Sequence, residues 1–441
     1  MNTYHSVSMA LSRLPVYSVV FSLLLVGLPQ VAHSQDIKDL RERGREMLGE
    51  IKKDIKAHYY DPNFRGVDLE ARFKEADAQI TGAVTGDQIY GIIAHTLLAF
   101  GDSHTYFIPP VWSLKVDYGW EMQMIGDKCL VTSVDGGSDA HAKGLRPGDQ
   151  VLTIFDIPVS RANLGQITYL FYRLRPVKGL LVLVRDSGGK TRQLELLTKV
   201  EKATWGTIAE MEEERKYSPQ YYLDVSEDLF IWKMPAFTLG EKGVDEMMKK
   251  VGKHKTLILD LRGNGGGYEV VLQHLLGYFF DHDVKIGERR GRKESKPVIA
   301  KTQREKVFRG RLFVLVDSAS ASAAELFARV VQLEKRGSVI GDRTAGAVTE
   351  ARRFTHEYFR RKGFLVSALA VTYGVSVTVN DLIMADGKSL ENSGVFPDEI
   401  ILPTSRDLAA NNDIVLLRAA ALAGVQLDLK KMTPHLLPGQ Q

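Results

Sequence analysis

The sequence reads as a multidomain α/β protein: an N-terminal helical segment, a β-rich middle and an α/β core. Apolar residues recur at helical spacing from Asp36 to about Pro110. Short apolar runs divided by glycine-rich turns follow, to about residue 200. From 205 to 405, strand-length apolar runs alternate with helix-period stretches, as in a core built on parallel crossovers. The 441 residues, 44% hydrophobic and 25% charged, have an ordinary globular composition and enough length for two or three domains. A net charge of +4 gives no reason to expect a nucleic-acid partner.

In chain order, Arg13 precedes an apolar stretch over 16–31 and the small-residue site Ala32-His33-Ser34. That pattern predicts a secretory signal over 1–34, cut before Gln35. Gly27 and Pro29 interrupt the stretch, which is shorter than the roughly 20 apolar residues of a membrane span. Export to a periplasmic or extracellular space is the expectation. Leu40, Met47, Ile51 and Ile55 then mark a helix, and Thr85 with Gln88 three residues on resembles a capping box ahead of a helix over 91–100. These fall in a helical domain over 35–112. The middle domain, 113–200, holds expected strands over 129–134, 150–155 and 180–184 and a helix over 164–172. Its Cys129 is the only cysteine, so no intramolecular disulfide can form, and a buried apolar role is expected. The core is expected over 201–406. The charged run 285–309, with Arg289, Arg290, Arg292 and Lys293 among glutamates, reads as a solvated insertion. A tail over 407–441 should add one surface helix, 413–423.

Two turns within the core carry chemistry. Residues 312–325 read LFVLVDSASASAAE: an apolar strand breaks at Asp317 and resumes as a helix from Ala323 to Val331, with Ser318, Ser320 and Ser322 in the turn. A hydroxyl there meets unpaired N–H groups that favour developing negative charge, although serines in such a turn also simply cap helices. Residues 256–267 read TLILDLRGNGGG, a strand running into three successive glycines and a helix over 269–280. Consecutive glycines expose backbone N–H groups to an anion, either a phosphate or an oxyanion. No Gly-Lys-Ser/Thr follows and no dinucleotide fingerprint is formed, so a nucleotide is the weaker reading.

This pair of segments, in this order, resembles the serine peptidase family of carboxyl-terminal processing proteases and the tricorn core. Gly144-Leu145-Arg146-Pro147-Gly148-Asp149 resembles a PDZ-domain segment. Ile340-Gly341-Asp342-Arg343-Thr344-Ala345-Gly346 resembles the family's turn after the nucleophile helix, and Glu391-Asn392-Ser393-Gly394-Val395-Phe396-Pro397-Asp398 its closing signature. The likeness extends from about 36 to 403. It implies a PDZ-like β-rich domain and a crotonase-like α/β serine peptidase core.

The resemblance also implies Ser322 as nucleophile. Processing proteases pair it with a lysine in a T-x-G-K turn; here Ala347 fills that position, and Ala351 replaces a supporting glutamine. The resemblance to the tricorn-like branch, which uses a histidine from ahead of the PDZ domain, implies His104 as general base. Ser103 would orient it and Glu391 would anchor the network. The oxyanion hole would comprise the N–H groups of Ala323 and of Gly265 or Gly266. A PDZ peptide-binding loop would fall at Tyr118-Gly119-Trp120, which departs from the usual sequence. No histidine pair has metal-ligand spacing, and neither metal nor cofactor is expected. The resulting expectation is an exported serine endopeptidase acting on extended or unfolded polypeptides, without a stable membrane span. A catalytically silent peptide-binding scaffold of the same family is the alternative. An acyl-thioester enzyme on the crotonase-like core ranks third, since thioester cofactors are intracellular.

Overall fold

The computed structural model describes residues 34–110, 114–202, 220–360 and 369–429. The expected signal segment, apart from Ser34, lies outside them, as does the polar end of the tail. Three helices come first: α1 (Ser34–His58), α2 (Leu69–Gly82) and α3 (Gly86–Leu98). Met47, Ile51 and Ile55 of α1 bury against Phe73 and Ile80 of α2 and Ile89, Ile93 and Leu97 of α3, the helical stripe expected of packed amphipathic helices. Thr85 caps α3, its hydroxyl accepting from Gln88 N–H at 3.2 Å. The Gln88 amide oxygen accepts from Val84 N–H at 2.7 Å, so the reciprocal bond closes one residue ahead of the cap. A turn then leads into β1 (Tyr106–Ile108).

The middle unit comprises β2 (Leu114–Asp117), β3 (Trp120–Ile125), β4 (Lys128–Val134), α4 (Asp139–Ala142), β5 (Gln150–Ile154), β6 (Ile157–Pro158), α5 (Leu164–Tyr169), β7 (Gly179–Arg185), β8 (Thr191–Leu197) and β9 (Lys199–Lys202). An antiparallel sheet runs β3-β4-β5-β7-β8, with β6 on β5, while β2 and β9 form a separate ribbon. Leu180, Val182 and Val184 alternate into its core, where Cys129 is also buried.

The last unit holds β10 (Tyr221–Ser226), β11 (Leu229–Lys233), α6 (Gly240–Val251), β12 (Thr256–Asp260), α7 (Glu269–Leu276), β13 (Val284–Gly291), β14 (Ser295–Ala300), β15 (Arg311–Val316), α8 (Ala323–Leu333), β16 (Ser338–Gly341), β17 (Glu350–Arg360), β18 (Leu369–Met384), β19 (Glu399–Ile400), α9 (Ser405–Ala409) and α10 (Ile414–Leu422). Its main sheet runs β10-β11-β12-β15-β16-β19 and is parallel from β11 onward. Leu257, Leu259, Val314 and Val316 point to one face, which α6, α7 and α8 cover. Ile231, Ile258, Phe313 and Leu315 point to the other, which α10 covers. A second sheet, β1-β18-β13-β14 with β17 on β18, joins the N-terminal segment to the core.

Two expectations fail here. The charged run 285–309 is no loose insertion: β13 and β14 form a hairpin and β13 pairs with β18. Its charges bridge elements, with Arg289 bonding Glu269 and Glu350 and Arg292 the carbonyls of Lys56 and Tyr59. The tail helix is no loose surface element either. Val415, Leu416, Ala419 and Ala420 of α10 are buried, and its cap Asp413 holds the Arg262 guanidinium at 2.7 Å.

Candidate active site

Both chemistry-bearing turns lie at the C-terminal ends of adjacent parallel strands, β12 and β15, where open α/β sheets place ligands. Ser322 opens α8 with φ 54° and ψ −121°, a conformation that non-glycine residues adopt only when their surroundings impose it. Those surroundings are explicit. Its N–H donates to the Ala347 carbonyl at 2.9 Å and to the Glu325 carboxylate at 3.0 Å. Glu325, fully buried on the first turn of α8, also accepts from the Thr344 hydroxyl at 2.6 Å and from Gly346 and Ala347 N–H at 2.7 and 2.9 Å. Burial pushes its carboxyl up, against these four hydrogen bonds, which favour the ionised form.

The neighbouring serines are structural. Ser320 is buried and donates to the Leu261 carbonyl at 2.8 Å, whereas Ser318 donates to the Met124 carbonyl of β3. The glycine run packs against the nucleophile turn. Asn264, fully buried, accepts from Ala321 N–H at 2.9 Å through its carbonyl and donates to Met234 O at 2.7 Å. Gly266, at φ +98°, comes so close that a Cβ there would lie 2.6 Å from Ser322 Cβ. Of the glycine N–H groups named above, that of Gly266 is taken by the Asn264 side chain at 2.8 Å. Gly265 and Ala323 N–H have no hydrogen-bond partner among the described residues.

The turn after α3 supplies the imidazole. Asp102 caps it, accepting from His104 and Thr105 N–H at 3.0 and 2.7 Å, an Asx-type turn, and from the Tyr59 and Thr378 hydroxyls, each at 2.7 Å. His104 Nδ1 lies 2.6 Å from Ser103 Oγ and 3.1 Å from Thr349 Oγ1. Glu391 holds both flanks. One oxygen accepts from Ser103 N–H at 2.6 Å; the other accepts from Val348 and Thr349 N–H at 3.0 and 3.3 Å. Burial lowers the His104 pKa below its ordinary value, opposed by the Glu391 and Asp102 carboxylates. No hydrogen bond joins Ser322 Oγ to the imidazole; such pairs commonly tighten only on substrate binding.

The structure thus brings Ser103, His104 and Glu391 into one network. That network grips residues 348–349, directly after the Ala347 that holds Ser322. Ala347 itself points its N–H into the Glu325 clamp, and Ala351 is exposed on β17. Sequence reasoning passed over Asp102, Asn264, Glu325 and Thr349. Glu325 carried a local signal in its capping-box distance from Ser322, and Asp102 in opening the Asp102-Ser103-His104-Thr105 segment. Tyr118, Gly119 and Trp120 make no bond to this network. Tyr118 and Trp120 are buried, Tyr118 OH donates to Phe171 O at 2.9 Å, and Gly119 N–H is taken by the Asp117 carboxylate at 2.8 Å. A cavity of about 850 Å³ between the middle sheet and Leu402–Arg406 contains none of the site residues. Among the described residues no cluster of His, Cys, Asp and Glu could hold a metal ion, and no helix is long and apolar enough to cross a membrane.

A hydroxyl at a strained strand-to-helix turn, backbone donors beside it and an imidazole reaching the same loop form the layout of a serine hydrolase on an α/β core. Residues 228–401 match the model of peptidase family S41. Over 361 residues the chain is 25% identical to the tail-specific protease of Haemophilus influenzae, covering 75% of this chain and 48% of that protein. It is also 25% identical over 337 residues to the carboxyl-terminal-processing protease of Picosynechococcus, covering 72% and 74% of the two chains. The chain therefore spans about half the length of the first of these relatives. In fold it is similar to mature CPAF, with a TM-score of 0.64 at 13% identity, covering 87% of this chain and 98% of that one.

Proposed function

We propose that the protein is an exported serine endopeptidase that hydrolyses peptide bonds of extended or unfolded polypeptides. Ser322 is the nucleophile and His104 the general base. The carrying observation is that His104 Nδ1 and Ser322 N–H are tied to Thr349 and Ala347, two residues apart on one segment. With Nδ1 facing hydroxyls, Nε2 is left to take the Ser322 proton and later return it to the leaving amine. Glu391 fixes the segments on either side of the ring rather than the ring itself. The N–H groups of Gly265 and Ala323 receive the oxyanion, the geometry favouring Gly265 because Asn264 already occupies Gly266. Alanine at 347 removes the lysine route. The PDZ-like middle domain is pinned beside this turn, the Ser318 hydroxyl donating to the Met124 carbonyl of β3. An apolar stretch over 16–31 supports export.

A fluorophosphonate reagent tests this reading. It should label Ser322 in the wild type and fail in Ser322→Ala and His104→Ala. Labelling that survives His104→Ala would remove the histidine from the mechanism, and folded wild type that resists labelling would favour a silent scaffold.

A further inference from the structure

Ser103 is adjacent in sequence to His104, so its hydroxyl can turn the ring but cannot fix where the ring sits relative to Ser322. Thr349 can. It stands on the core, is buried, and places Oγ1 3.1 Å from His104 Nδ1. Its backbone is set by Glu391, which accepts Thr349 N–H at 3.3 Å and Val348 N–H at 3.0 Å. One residue further back, Ala347 O receives the N–H of Ser322 at 2.9 Å. Three consecutive residues therefore connect nucleophile, carboxylate and imidazole. Of the contacts to the ring, only the Thr349 hydroxyl comes from the element that also holds Ser322.

From this we infer that Thr349 is a positioning residue for the proposed reaction, its hydroxyl docking the His104 ring onto the Ser322 loop and sharing Nδ1–H with the Ser103 hydroxyl, which lies 2.6 Å away. The inference rests on the Ser322–His104 reading and adds to it a third side chain supplied by the segment where relatives with a Ser–Lys pair carry their lysine. The charged groups facing the ring are Glu391, from the loop after β18, and Asp102, from its own turn. Both favour imidazolium, and an acceptor at Nδ1 does the same, since a hydrogen bond to the charged form strengthens it. Removing the Thr349 hydroxyl should therefore lower the His104 pKa and loosen the ring.

The test compares wild type, Thr349→Val, which keeps the shape, and Thr349→Ser, which keeps the hydroxyl. Two quantities are read: the His104 titration by NMR, its signal assigned by loss in His104→Ala, and the pH-dependent rate of fluorophosphonate labelling. Thr349→Val should move the titration downward and slow labelling by about 10- to 100-fold, the scale of a small misplacement of a reacting group. Thr349→Ser should restore both. An unchanged titration and rate in Thr349→Val would overturn the assignment and leave the Ser322–His104 reading intact. A slowed rate with an unmoved titration that serine does not rescue would also overturn it, since that is ordinary packing damage. Absence of labelling in wild type, with the Thr349-dependent titration shift present, would remove the hydrolase reading while keeping the contact.

Discussion

Four donors converge on the Glu325 carboxylate, and one of them is the N–H of Ser322, whose positive φ needs an outside restraint. Glu325→Ala would leave the Gly346 and Ala347 N–H groups and the Thr344 hydroxyl without this acceptor, and Ser322 N–H with only the Ala347 carbonyl. We expect a loss on the order of 3 kcal/mol in urea unfolding, and a larger proportional loss of reagent labelling because the turn relaxes. At His104, burial has a kinetic consequence. As the proposed base it would work as neutral imidazole, and its pKa lies below the ordinary value. The acid limb of a peptide-cleavage profile should therefore fall below pH 6.5, not at it. The same shift opposes folding in acid: the penalty begins as pH drops below the unfolded histidine value and is complete below the folded one. A profile rising only at strongly alkaline pH would contradict this and indicate a lysine. Ser103, His104 and Glu391, expected from short motifs, meet in one network whose loop also holds the Ser322 N–H. Asp102 stands in the motif that supplies His104 but had no assigned role, and Thr349 had no mark; their partners come together only when β17 and β18 close on the N-terminal segment.

At the scale of elements, the glycine loop and the nucleophile turn fit only without a side chain between them. Gly266→Ala places a methyl against Ser322 in a backbone region hostile to L-residues, and should reduce labelling by more than about 100-fold while the far-ultraviolet spectrum stays native. Gly263 has φ +73° but open space around it, so Gly263→Ala should show mainly the backbone cost, about 1–2 kcal/mol in unfolding. Strands and helices of the core were readable because apolar runs and turn residues agree locally. The hairpin over 284–300 was not. Its exposed charges dominate the composition, while the pairing that makes it a strand lies about ninety residues away in β18. Helix α10 was placed in sequence but misjudged in burial. Its short alanine-rich stripe looks weak alone, and only the uncovered face of the parallel sheet explains why it is needed. Asp413 secures it. Burial raises that carboxyl, the Arg262 guanidinium outweighs burial, and the pKa ends below the usual range. Asp413→Ala removes both the cap and one partner of the half-buried Arg262, and we expect a loss of about 1–2 kcal/mol in denaturant melts.

Across the whole molecule, the middle sheet is fastened beside the nucleophile rather than tethered at a distance. Asp342, directly after β16, accepts from Arg161 at 2.7 Å and from Gly126 N–H at 2.9 Å, and Arg161 also reaches the Arg343 carbonyl at 2.9 Å. Asp342→Ala should free the middle unit, seen as faster amide exchange in 120–130 with the core sheet unchanged. Unchanged exchange there would mean that the remaining contacts, such as Gly148 against Ser405, suffice. The backbone of Ser103 meets Glu391 across 288 positions of chain. The ribosome must therefore release most of the polypeptide before the network around the proposed base can close. On the proposed reading, activity would then wait for chain completion, a timing set by the order in which the parts are encoded.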